Sequence, residues 1–65
     1  MYTRQLPDKD EVVVVVYKNN VKVHESIEKP KQKKHFDYVV RGEGLITIDV
    51  YFDDQKVETR EFDFR

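Results

Sequence analysis

Val12-Val13-Val14-Val15-Val16-Tyr17-Lys18-Asn19-Asn20-Val21-Lys22-Val23 is the stretch on which the fold of this chain turns. Five successive β-branched residues stiffen χ1 at every position, which suits a pleated strand far better than a helix. The run does not alternate, so the strand it forms is either covered on both faces or meets another chain on one of them. Asn19-Asn20 then supplies two residues that tolerate positive φ, as a two-residue hairpin turn requires. Val21–Glu28 returns with Val21, Val23 and Ile27 on one parity. A turn centred on the two asparagines puts Val16 opposite Val23, Val14 opposite Glu25 and Val12 opposite Ile27.

The same pattern recurs downstream. Val50-Tyr51-Phe52-Asp53-Asp54-Gln55-Lys56-Val57 aligns without gaps on Val16–Val23, with Val, Tyr, Lys and Val shared at equivalent places. Duplication and two independent solutions to one hairpin both account for this. Ile46, Ile48, Val50 and Phe52 alternate with Thr47, Asp49, Tyr51 and Asp53, the mark of a half-buried strand. Its return, Lys56–Phe64, changes apolar parity between Val57 and the pair Phe62, Phe64. One extra residue near Thr59–Glu61, a β-bulge, restores the phase. Between the hairpins, Phe36, Tyr38 and Val40 form a connecting strand that ends at Gly42-Glu43-Gly44, where two glycines permit a reversal. Residues 1–11, with Pro7 and the charges of Asp8 to Glu11, read as a polar arm or edge strand ahead of a single all-β domain, 12–65.

Composition agrees with strands. The 65 residues contain no alanine, the best helix former, and only two leucines, whereas valine recurs throughout. Cysteine is absent, so neither a disulfide nor a thiolate metal site staples a domain of this size. The net charge of −1 offers no global attraction to nucleic acid or an anionic membrane. No signal peptide or membrane-spanning segment is recognised, so a natural, full-length chain of this kind is expected in the cytoplasm.

The hairpin Val16–Val23, the strand Phe36–Val40, the segment Gly44–Tyr51 and the closing Phe62-Asp63-Phe64 together resemble the later strands of an immunoglobulin or fibronectin type III-like sandwich. That resemblance implies a small antiparallel β-sandwich of five or six strands, built from two hairpins and a connecting strand. Family members commonly have about seven strands and a Cys…Trp…Cys core. Cys and Trp are both missing here, which leaves a truncated sandwich, a strand-exchanged dimer and a small β-barrel open. The valine quintet and outward charges also resemble computationally designed β-sandwiches. The turns oppose that origin, because neither contains glycine.

Residues able to carry chemistry are sparse. His24 and His35 lack the further ligands that structural zinc needs. Asp53-Asp54 and the series Glu58, Glu61, Asp63 read as turn and solvent-face carboxylates, and Ser26 has no flanking glycines of a nucleophile elbow. The chain is therefore expected to be non-enzymatic, with no cofactor, metal or small-molecule ligand. Two surfaces carry the expectations of function. Val13, Val15 and Tyr17 share the face opposite Val12, Val14 and Val16, where they are either covered by Leu6 of the arm or meet a second copy or another protein. The crossover Lys29, Lys31, Lys33, Lys34, His35 is either a solvated loop or an anion or nucleic-acid contact in a small barrel, with Tyr38 available for stacking. The readings that follow are a structural or protein-interaction module, a designed scaffold, or a nucleic-acid-binding barrel.

Overall fold

A computed structural model describes residues 2–39 and 41–64. Within them the chain is all-β, with strands β1 (Tyr2–Gln5), β2 (Val12–Lys18), β3 (Val21–Glu28), β4 (His35–Tyr38), β5 (Gly44–Phe52) and β6 (Gln55–Phe64). Four of them form one antiparallel sheet in the order β3-β2-β5-β6, and β1 pairs with β4 in a separate ladder. The four-stranded sheet is open, with β3 and β6 at its edges, so it does not close into the small barrel considered above.

The ladder packs over one face of the sheet. Leu6 and Phe36 join Val12, Val14, Val16, Ile46, Ile48 and Val50 in one buried cluster, with Tyr38 and Phe52 against its rim. Complete burial of an aliphatic side chain contributes about 1.5–3 kcal/mol. That cluster is the main source of stability in a chain with no covalent staple.

Both hairpins turn on residues in the left-handed region, Asn19 and Asn20 at φ 51° and 68°, and Asp53 and Asp54 at φ 56° and 62°. Each turn is followed by a bulge. On β3 the register slips beyond Tyr17–Lys22, so Val23 is passed over and Val16 meets His24, Val14 meets Ser26 and Val12 meets Glu28. This corrects the expected pairing: Val21, Val23 and Ile27 are 63%, 50% and 62% exposed, and the polar parity of β3 turns toward the ladder. The extra residue at Val23 is a bulge, which shifts every later residue of β3 to the opposite parity. On β6 the bulge falls at Val57, earlier than Thr59–Glu61, and it returns Phe62 to the side of Ile46. The expected partner Val40 and the side chain of Phe64 lie outside the described residues.

The repeat seen in the sequence extends through the topology. Setting Val16 on Val50 carries each β2–β3 pair onto a β5–β6 pair: Val12–Glu28 onto Ile46–Phe62, Val14–Ser26 onto Ile48–Arg60, Tyr17–Lys22 onto Tyr51–Lys56. The ladders between the halves map onto themselves, except that Lys18–Ile46 has no paired equivalent at Phe52–Val12. Val13–Tyr51 becomes Tyr17–Thr47, and Tyr2–Tyr38 becomes Arg4–Phe36. A local two-fold axis therefore passes between Val15 and Asp49 in the sheet and between Thr3 and Asp37 in the ladder.

Candidate functional site

Leu6 lies in the core on the β1–β4 side, so the arm does not cover Val13, Val15 and Tyr17. They line an open groove of about 670 Å³ on the other face of the sheet. Val13 and Val15 form its floor, and Tyr17 and Tyr51 rise from it. Val15 itself is only 6% exposed, so Val13, Phe52 and the two tyrosines supply the accessible apolar surface.

The rim is acidic. Asp10, Glu11, Glu25, Asp53 and Asp54 border the groove, and the lysine among its described lining residues, Lys22, is bonded to Glu25 at 3.0 Å. That hydrogen bond, reinforced by the charge of Glu25, holds the Lys22 ammonium above the usual lysine range. The pair is exposed and contributes little to stability.

The groove exists where the internal symmetry fails. At the first hairpin tip, Asn19 donates its N–H to the Leu45 carbonyl at 2.8 Å and accepts the Leu45 N–H on Oδ1 at 3.0 Å. Lys18 Nζ adds a bond to the Arg41 carbonyl at 2.9 Å, so this tip is sewn to the chain entering β5. The repeat places Asp53 where Asn19 stands and Glu11 where Leu45 stands. Two carboxylates repel, and no such bridge forms between them among the described residues. The second tip is tied instead by the Lys9 ammonium, 4.9 Å from the centre of the Phe52 ring.

The lysine crossover is organised differently. The Lys29 carbonyl accepts the N–H groups of Gln32 and Lys33 at 2.9 Å, Pro30 is buried, and Leu6 N–H donates to the Lys34 carbonyl at 2.8 Å. Lys31 Nζ lies 3.9 Å from Asp10 and 4.0 Å from Asp8, while Lys29, Lys33, Lys34 and His35 are exposed. Tyr38 is half-buried against His24 and Phe36, with ring centres 5.5 and 6.4 Å away, and does not stand free beside the lysines.

His24 faces the ladder opposite Val16, whereas strand alternation turns His35 to the other side of β4 from Phe36. No group of three or more His, Cys, Asp or Glu among the described residues is placed to share a metal ion. Likewise, no described helix is long and apolar enough to cross a membrane. Ser26, opposite Val14, has a buried hydroxyl without a hydrogen-bond partner among the described residues.

Sequence reasoning found the floor of the groove and missed its rim. Tyr51, Glu25, Asp10, Glu11, Asp53 and Asp54 converge only through strand register. The repeat was the available signal for Tyr51, the counterpart of Tyr17. No family model, curated protein or solved structure matches this chain.

Proposed function

We propose that the chain is a non-enzymatic protein-interaction module, a reduced immunoglobulin-like sandwich whose open sheet face receives a basic, extended segment of a partner protein. One observation carries this reading: five carboxylates surround an apolar floor whose lysine is already paired with Glu25. A lysine or arginine side chain complements that rim, and the aliphatic part of the segment covers Val13 beside Tyr51. Electrostatic complementarity of this kind sets specificity and association rate more than raw affinity.

The test is an amide NMR titration with a lysine- and arginine-rich nonapeptide containing two leucines. Binding moves the signals of Val13, Tyr17 and Tyr51, and it weakens between about 10 mM and about 150 mM salt as the screening length falls from ~30 Å to ~8 Å. Asp53→Asn/Asp54→Asn weakens it without disturbing the turn, because Asn19-Asn20 occupies the equivalent geometry. Absence of shifts on this face, or salt-sensitive shifts at Lys29–Lys34 with a single-stranded oligonucleotide alone, would overturn the proposal.

A further inference from the structure

The interface between the two halves of the chain, residues 2–28 and 36–62, is built about the local two-fold axis. Each half brings one ladder strand and one bulged hairpin, and it presents the same rows to the same axis: Val12, Val14 and Val16 from one, Ile46, Ile48 and Val50 from the other. Such an isologous arrangement is what two subunits of a symmetric dimer make. A lone hairpin is at best marginally stable in water, so each half needs the apolar row of another half to persist.

The link between the halves belongs to neither ladder. Residues 29–34 form a turn around the Lys29 carbonyl, anchored by the burial of Pro30 and the Leu6–Lys34 bond. Nothing in the inter-half ladders depends on that link being within one chain. We propose that this protein's built-in partner is a second copy of itself. Two chains can trade halves through residues 29–34, giving a dimer that contains the same sheet and core twice. Intrachain closure prevails while the link is long enough, because a short connection holds the halves at an effective concentration of about millimolar or more. The inference is independent of the groove, although it has a consequence there. Glu25 and Asp53 belong to different halves, so each groove of the exchanged dimer is built by two chains.

Deleting Lys29–Lys34 tests the exchange. It joins Glu28 directly to His35, with a Cα separation of about 3.8 Å, while packed sheet layers lie about 10 Å apart. The halves of one chain can then no longer close on each other. Light scattering is expected to report twice the chain mass, with the parent's amide map across β2 and β5. A shortened chain at monomer mass, folded or unfolded, overturns the exchange. A circular permutant separates this from a general failure to fold: it begins at His35, runs to Phe62, and continues through a copy of Lys29–His35 into Tyr2–Glu28. Because Phe62 pairs with Ile46 as Glu28 pairs with Val12, and Tyr2 is the counterpart of Phe36, it is expected to fold as a monomer with the parent's amide map. A permutant lacking that map overturns the equivalence of the halves.

Discussion

Val15 and Asp49 face each other at the centre of the β2–β5 ladder, and each is the other's counterpart under the internal repeat. Both are 6% exposed, yet one is aliphatic and the other a carboxylate, which takes a hydrogen bond from the Thr59 hydroxyl on the neighbouring strand. Thr59 is exposed while Asp49 is buried, so losing the hydroxyl leaves a buried carboxylate without this donor, which costs more than removing both partners. Thr59→Val is therefore expected to lower stability by about 1–3 kcal/mol, and adding Asp49→Val to recover most of the loss. Urea unfolding of the single and double variants measures the difference. A double variant no more stable than the single one would show that Asp49 does not depend on Thr59.

Two isoleucines report on the register. Ile48 is fully buried, whereas Ile27 lies on the outer side of β3 because of the bulge at Val23. Ile48→Ala is expected to cost about 2–5 kcal/mol, enough to unfold much of a small domain. Ile27→Ala should stay within about 0.5 kcal/mol of the parent. Comparable losses at both sites would mean that β3 turns its aliphatic parity inward.

The asparagines of the first turn differ in what they hold. Asn20 contributes a positive φ, whereas Asn19 also bonds Leu45 in both directions. Asn20→Gly removes the side-chain strain of the left-handed region and should raise the melting temperature by a few degrees, on the order of 0.5–1 kcal/mol. Asn19→Gly should lower it, since the bond from the Leu45 N–H to its side chain is lost. Calorimetry that ranks the two variants the other way would displace Leu45 as the anchor of this tip.

Gly44 opens β5 at φ 142°, and a Cβ there would stand 3.0 Å from the Asn19 side chain. Gly44→Ala is expected to cost about 1–3 kcal/mol, as backbone strain of this kind does. Combining it with Asn19→Gly clears the contact but leaves the backbone conformation, so rescue should be partial at most. Full rescue in thermal unfolding would place the whole penalty in the contact.

How far residues alone lead is clear from β2 and β3. The valine run and the paired left-handed turn residues specify strands and a hairpin locally, because stiff χ1 and positive φ are demands of single residues. Which parity of β3 turns inward is not local. It depends on the bulge at Val23, which is defined only by how β3 pairs with β2 along its whole length. The arm was hard to read for the same reason, since Tyr2–Gln5 becomes a strand only when β4 offers an edge. The acidic rim likewise joins Asp10, Glu25 and Asp53, which are distant in sequence and assembled by register. The repeat was visible at the hairpin tips, but its extent through both ladders emerged only from the pairing.

Two matched hairpins also shape the route by which the chain folds. Hairpins of this kind form in about 1–10 μs, and both turn on a pair of left-handed residues. Neither persists alone, so the slow event is the meeting of β2 with β5, and it can be entered from either end of the chain. Destabilising one turn should therefore divert molecules through the other and leave the refolding rate nearly unchanged, while truncating Val14 or Ile48 at the meeting line slows it.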